Sequence, residues 1–285
     1  MSDTLTAHSA GASDDTGAKV PAPRPRRTVS TARADYTPSQ RLVITLLSLA
    51  GFFTIWTVAK WVFDIPRLFL PGLDEIGAAL AASHAAGRLI PNTIVSINLF
   101  FWSMLLSLAI AIPLGVLVGA VDSLNRTFST WLWAIYTAPQ IVFLPLVLLW
   151  AGITTTAKVI LIVISAVPPA TVIILEGVKT IDSSLIKASR TFGASRAQMM
   201  RKVVMPATMP YIGTGVRMGV SRGLVGLFAA ELFTAQAGLG FLLMDASRRY
   251  NTPLVFGVLA VYLVFCMTAI AASNSLEKRL GRWRD

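Results

Sequence analysis

Few side chains in this sequence could do chemistry, and the most informative is Arg222, which lies in a mainly apolar stretch from Tyr211 to Phe233. A charge inside a membrane-crossing stretch is expensive, so it normally faces a protein interior, a partner or water. As a helix, the stretch places Arg222 about 16 Å from its start, near the middle of a bilayer. Two roles remain open: lining a path that attracts an anion, or forming a structural ion pair.

Two further polar side chains lie in apolar surroundings. Glu231 follows Arg222 by nine residues on the opposite face of a helix, so the two cannot pair within one helix. Gln140 follows Pro139 and could form a hydrogen bond inside a helical bundle. We assign Glu231 and Gln140 as candidates for the same path as Arg222, and a structural hydrogen bond is the alternative role of Gln140.

Several chemistries are excluded by what the sequence lacks. The phosphate-binding pattern G-x-x-x-x-G-K-[ST] does not occur, so we expect the chain itself to bind no ATP. One cysteine and two histidines exclude an internal disulfide and a metal site built from either residue type. A Ser-His-Asp arrangement and a pair of carboxylates within the apolar stretches are also missing, which argues against a membrane-embedded enzyme and a proton-coupled carrier. We therefore expect no cofactor on this chain.

The surrounding elements are those of a multi-pass membrane protein. The 54% hydrophobic content, the 14% charged content and the mean hydropathy of +0.66 are too apolar for a soluble protein. Segments near the length of about 20 residues that crosses a bilayer predict six spans. The spans are residues 42–63, 93–120, 128–153, 158–178, 211–233 and 253–275. Residues 1–40 predict a disordered basic tail, and residues 74–86 predict a short surface helix.

The distribution of charge predicts the orientation in the membrane. The net charge is +11, and with the N-terminus inside most basic residues of the loops fall on the inner side. Basic residues favour the cytoplasmic side of a membrane, so we expect both termini to lie in the cytoplasm. The neighbouring residues Arg248 and Arg249 are the exception on the outer side.

The longest polar run in the second half of the chain separates spans four and five. We call this run, residues 182–210, the elbow. An apolar stripe predicts a short helix, Gly193 supplies a left-handed stop, and a Ser-x-x-Gln capping box at Ser195 opens a second helix. Pro206 and Pro210 are expected to close that helix. A DNA-binding helix-turn-helix has similar features, but spans on both sides favour an elbow that grips a partner protein, with no nucleic acid.

The pattern K-A-S-x3-G-x9-V-x-M-P in the elbow resembles the coupling loop of bacterial ATP-binding-cassette importer permeases. The pattern of that family is Glu-Ala-Ala, three residues, Gly, nine residues, Ile, one residue, Leu-Pro, and the spacing matches throughout. Lys187 stands where the family has glutamate, which reverses a charge at the docking face. The resemblance implies docking on a separate ATPase that binds ATP and Mg. The expected coupling residues are Lys187, Ala188, Ser189, Phe192, Gly193 and Pro206.

Further motifs resemble the nitrate, sulfonate and taurine branch of these permeases. They are L-P-G-L-D-E-I and I-P-L-G-V-L-V-G around span two, G-T-G-V-R from Gly213, A-E-L from Ala230 and A-G-L-G-F-L-L from Ala237. The branch usually has an arginine in the middle of span two, where residues 98–100 here read N-L-F. By resemblance, Gly238 and Gly240 shape an outer gate, with Phe241 and Met244 near its mouth.

Together these resemblances imply an all-helical permease subunit with six transmembrane helices and a cytoplasmic helix-turn-helix coupling loop. The permease domain would cover residues 41–285, with a family-like core at about 93–276. The implied partners are a cytoplasmic ATPase, a second permease copy, an extracytoplasmic solute-binding protein and the lipid of a bacterial inner membrane. The implied solute is a small anion such as a sulfonate, taurine or nitrate. The alternative is a secondary carrier or channel that works without an ATPase.

Overall fold

The computed structural model describes residues 37–234 and 237–281, and every regular element in those ranges is helical. Most of the predicted tail, as far as residue 36, lies outside the described residues, and the first helix begins at Pro38. The helices are α1 (Pro38–Val62), α2 (Leu73–Ala85), α3 (Leu89–Ala120), α4 (Asp122–Thr137), α5 (Leu144–Ala151), α6 (Thr155–Lys179), α7 (Ser183–Thr191), α8 (Arg196–Met199), α9 (Met205–Thr234), α10 (Leu239–Arg248) and α11 (Thr252–Gly281).

Within the described ranges, four helices are long and apolar enough to cross a membrane. They are α1, α3, α6 and α11, and α4 with α5 makes a fifth if that bent pair counts as one span. The remaining predicted span lies in α9, which has ample length at 30 residues but carries Arg217, Arg222 and Glu231. Because α9 packs against α3, α6 and α11, much of its surface meets protein, and its sequence can be more polar than that of a lipid-facing helix.

The third predicted span, residues 128–153, consists of two helices that meet at a sharp bend. α4 ends at Thr137, a 3-10 turn covers Gln140–Phe143, and α5 follows, with an angle of 93° across the break. The cause is Pro139, which has no N–H to donate and pushes Ala138 out of the helical region. Ala138 accordingly has an extended backbone, with φ −64° and ψ 139°.

The predicted surface helix at residues 74–86 is confirmed as α2. The described residues divide into two units, one that ends at Gly51 and one that begins at Phe52, and α2 belongs to the second. There the Glu75 carboxylate accepts hydrogen bonds from the Gly72 backbone N–H at 2.7 Å and from Lys60 Nζ at 3.0 Å. These donors, chiefly the backbone N–H, lower the pKa of Glu75. In the first unit, Thr37 and Gln40 cap the start of α1 with reciprocal hydrogen bonds.

The core of the second unit is α6, which packs between α3 and α9. Ile174 on α6 is completely buried, with a glycine on each neighbouring helix beside it. A Cβ atom added to Gly115 on α3 would lie 2.8 Å from Ile174 Cβ, and one added to Gly215 on α9 would lie 2.8 Å from Ile174 Cγ1. Glycine at both positions therefore lets the three helices approach closely.

Gly215→Ala is expected to destabilise the protein by about 1–3 kcal/mol, because the added methyl group overpacks the α6–α9 contact. The measurement is the midpoint of thermal unfolding of the purified protein in detergent. Gly77→Ala on α2 is the matched control, since a Cβ there meets no atom within 4 Å and alanine is the better helix former. Equal midpoints for the two variants would contradict this packing.

The prediction that Pro206 and Pro210 close the second helix of the elbow is wrong. α8 continues through a π-helical turn at Met200–Val204 directly into α9. Pro206 is the second residue of α9, and the wider turn before it removes the conflict between its ring and a regular hydrogen-bond ladder. At Pro210, the Thr214 hydroxyl donates to the proline carbonyl at 3.3 Å. The elbow is thus joined rigidly to the helix that carries Arg222.

Candidate functional site

The first half of the elbow is a short, well-capped helix. The Asp182 carboxylate accepts a hydrogen bond from the Ser184 backbone N–H at 2.8 Å, which opens α7 and lowers the pKa of Asp182. At the other end Gly193 has φ +74°, in the left-handed region that glycine favours. Ser195 and Gln198 then form the predicted capping box, which starts α8. The predicted helix, glycine turn and second helix start are confirmed.

The elbow presents an exposed aromatic side chain and several exposed cations. Phe192 is 90% exposed, and Lys187, Ala188 and Gly193 are exposed with it. Ser189 is half-buried and donates to the Ile186 carbonyl at 2.9 Å. Within the described part of the chain, five exposed cations of the elbow form no ion pair: Lys187, Arg190, Arg196, Arg201 and Lys202. An exposed aromatic group amid cations is a typical anchor for a partner protein.

A cavity of about 240 Å³ lies between the start of α7 and the start of α9. Pro206 is exposed and lines this cavity together with Leu185 and Tyr211. The Tyr211 hydroxyl lies 2.8 Å from the Thr180 hydroxyl at the end of α6. The predicted coupling residues therefore occupy two elements, with Pro206 on α9 and the other five on α7 and the glycine turn.

Arg222 is exposed in the second half of α9, and it makes no hydrogen bond or ion pair with the described residues. Ser221 beside it is also exposed, whereas Gly223 and Leu224 are buried. The other arginine of α9, Arg217, lies 2.8 Å from Glu277 on α11 and is half-buried. One arginine of the helix is thus bound within the chain, and the other is available to a ligand or a second protein.

Gln140 lies at the bend between α4 and α5. Its side-chain amide donates to the Tyr136 carbonyl at 3.4 Å, and the residue is half-buried. This hydrogen bond lies within the bend itself. Of the two roles left open for Gln140, it fits the structural hydrogen bond rather than the lining of a path.

Glu231 is completely buried, so its carboxylate has no access to a solute in this conformation. It accepts hydrogen bonds from the Ser96 hydroxyl on α3 at 2.5 Å and from the Gly240 backbone N–H at 2.9 Å. We call residues 237–240, which precede and begin α10, the glycine loop. Glu231 is therefore in direct contact with Gly238 and Gly240, the two glycines of the expected gate. The sequence had assigned Glu231 and these glycines to different roles. Phe241 and Met244, half-buried, follow on α10.

Three residues that the sequence analysis missed bind the glycine loop. Asn92 Oδ1 accepts from the Gly238 N–H at 2.8 Å, and Ser96 Oγ accepts from the Leu239 N–H at 2.8 Å. Lys158 Nζ on α6 donates to the Ala237 carbonyl at 3.3 Å and is almost fully buried. The signal available in the sequence was the spacing of Asn92 and Ser96, which lie four residues apart on one face of a mainly apolar helix.

An ion pair between Arg88 and Asp245 joins the start of α3 to α10 on the same side of the molecule. Asp245 also contacts Arg249 one helical turn later, at 3.1 Å. The hydrogen bond from Arg88 is the main cause of a lowered pKa of the Asp245 carboxyl, and Arg249 adds to it. The described residues contain no cluster of three or more His, Cys, Asp or Glu side chains that could hold a metal ion.

Comparison with known proteins gives a consistent result. The model of the family described as "Binding-protein-dependent transport system inner membrane component" matches residues 111–282, more than half of the chain. The taurine transport system permease protein TauC of Escherichia coli is 28% identical over 86% of this chain and 91% of its own length. The putative aliphatic sulfonates transport permease protein SsuC of Bacillus subtilis is 26% identical over 84% of this chain and 87% of its own.

A solved structure shares the fold. The structure titled "Inward facing conformations of the MetNI methionine ABC transporter" superposes with a TM-score of 0.58 at 20% identity. The match covers 69% of this chain and 97% of the solved chain. At that identity the likeness shows the common helical architecture alone.

Proposed function

This chain belongs to the family of inner membrane components of binding-protein-dependent transport systems, and on that premise we propose that it forms the membrane path for a small sulfonate or a similar anion. It is a multi-pass membrane protein and the permease subunit of an ATP-binding-cassette importer. The observation that carries the choice of an anion is Arg222, whose exposed guanidinium lies on a membrane-length helix and has no ion pair or hydrogen bond with the described residues. The solutes in the names of two relatives, taurine and aliphatic sulfonates, each carry an anionic sulfonate group, which supports this choice.

The proposal assigns the partners by their place on the chain. The elbow docks on a cytoplasmic ATPase that binds ATP and Mg, and both termini lie on that side. A second permease copy completes a path onto which Arg222 faces. An extracytoplasmic solute-binding protein delivers the anion to the opposite side, where the glycine loop and α10 lie. Because α8 runs without interruption into α9, a movement of the elbow caused by the ATPase would also move the helix that carries Arg222.

The test is transport by the full complex in proteoliposomes. We expect uptake of radiolabelled taurine to require the receptor protein, the partner ATPase and ATP, and to stop with a non-hydrolysable ATP analogue. Vesicles with this chain alone and an imposed ion gradient are the control. Uptake driven by that gradient would instead establish a secondary carrier or channel and would overturn the proposal.

A further inference from the structure

We propose that Glu231 is a positioning residue that ties the glycine loop to α3 and α9, so that the loop and α10 follow the movement of α9 during transport. The expected effect on transport rests on the proposed function. The attachment of the loop itself is inferred from the contacts of Glu231. Three helices, α3, α6 and α9, each direct polar side chains at one loop of four residues.

The contacts of Glu231 account for its complete burial. A buried carboxylate is costly unless hydrogen-bond donors compensate for the lost water. Here the Ser96 hydroxyl and the Gly240 N–H are those donors. Ser96 also accepts from the Leu239 N–H, so its hydroxyl connects the carboxylate to the loop at Leu239, next to the direct bond at Gly240. Loss of Glu231 would leave buried donors without an acceptor, which costs more than the hydrogen bonds contribute.

The two glycines of the loop fit closely around the same side chain. Gly238 has φ +111°, and a Cβ atom there would overlap Glu231 Oε1. A Cβ atom at Gly240 would lie 2.5 Å from Glu231 Cβ and 3.1 Å from the Leu232 backbone nitrogen. The backbone of the loop therefore lies directly on α9 at Glu231. Close packing of the two glycines and the hydrogen bond from Gly240 both attach the loop to Glu231.

The other contacts fix the remaining sides of the loop. Asn92 binds Gly238 from α3, and Lys158 binds the Ala237 carbonyl from α6. The Arg88–Asp245 ion pair attaches the far end of α10 to the start of α3. With these attachments, movement of α9 relative to α3 must move the loop or break a buried hydrogen bond.

The test measures exposure of α10 with a cysteine reporter. Cys266 is first replaced by alanine, and Met244→Cys is introduced in the half-buried part of α10. The complete complex in proteoliposomes is then treated with a membrane-impermeant maleimide. We expect Ser96→Ala and Glu231→Ala to speed labelling of this cysteine about tenfold or more, because buried donors lose their acceptor. We also expect both variants to leak internal taurine without ATP.

Ser107→Ala is the matched control. Ser107 is a completely buried serine on the same helix, but its hydroxyl donates to the Ser103 carbonyl of α3 itself. Labelling and leak in this variant should equal those of the parent, even if its melting temperature falls. If Ser96→Ala behaves as Ser107→Ala does in labelling and leak, the positioning role is overturned, whether or not Glu231→Ala assembles. Labelling requires no solute, so failure of ATP-driven taurine uptake by the complex with the unsubstituted chain would count against the proposed function separately.

Discussion

Arg222→Ala is expected to abolish uptake while the complex still assembles. The guanidinium is exposed on a membrane-length helix, and its removal breaks no ion pair or hydrogen bond among the described residues. Loss of one member of a desolvated charge pair with an anion costs about 2–5 kcal/mol, or roughly a thirtyfold to several-thousandfold loss. The measurement is the initial rate of ATP-driven taurine uptake, with co-purification of the ATPase as the check of assembly.

Arg222→Lys is the control that separates charge from shape. Lysine keeps the positive charge but not the planar fork that binds a sulfonate through two parallel hydrogen bonds. We therefore expect a smaller loss of uptake, between those of the parent and the alanine variant. Uptake by Arg222→Ala at the rate of the parent would remove Arg222 from the path and leave the choice of an anion without its main support.

Gly193→Glu is expected to uncouple ATP hydrolysis from transport without unfolding the spans. A Cβ atom at Gly193 meets no atom within 4 Å, so the cost to folding is the left-handed backbone alone, about 1–2 kcal/mol. The new carboxylate would stand beside exposed Phe192 in the face expected to dock. We expect uptake to fall at least about tenfold, the effect of roughly 1.4 kcal/mol at a docking interface, while the ATPase keeps its basal rate. The measurement is taurine uptake together with phosphate release from the same vesicles.

Gly87→Glu provides the comparison for backbone strain. Gly87 also has a positive φ, +66°, and open space around an added Cβ atom, but it lies between α2 and α3, away from the elbow. This variant should transport at close to the rate of the parent. Equal losses in both variants would mean that strain, and not the docking face, causes the defect. Full transport by Gly193→Glu would place the docking site elsewhere on the chain.

Local signals in the sequence determined the class of protein and the shape of the elbow. Long apolar segments predict membrane helices because a bilayer requires their length. The caps at Asp182 and Ser195 and the turn at Gly193 were predictable because each depends on residues within three or four positions. The resemblance of the elbow to a coupling loop also came from local spacing, and the family match is consistent with it.

Where prolines occur, the local sequence did not determine the outcome. Pro139 breaks its span into two helices, whereas Pro206 and Pro210 lie inside continuous α9. The difference lies in the surroundings of each proline. A π-helical turn precedes Pro206, and α9 continues through Pro210, whereas Ala138 before Pro139 has an extended backbone. A proline removes one donor everywhere, but neighbouring turns and side chains determine whether the helix ends.

The assembly of the site was decided by tertiary structure alone. Glu231 meets Ser96 across 135 residues, and Lys158 meets the glycine loop across 79. No local pattern fixes how far one helix is rotated about its axis or shifted along its neighbour, and those two quantities select which polar residues meet. The sequence therefore identified Glu231 and Gly240 separately. Only the packing of α3, α6 and α9 places them against each other, while Arg222, on the same helix as Glu231, stays exposed.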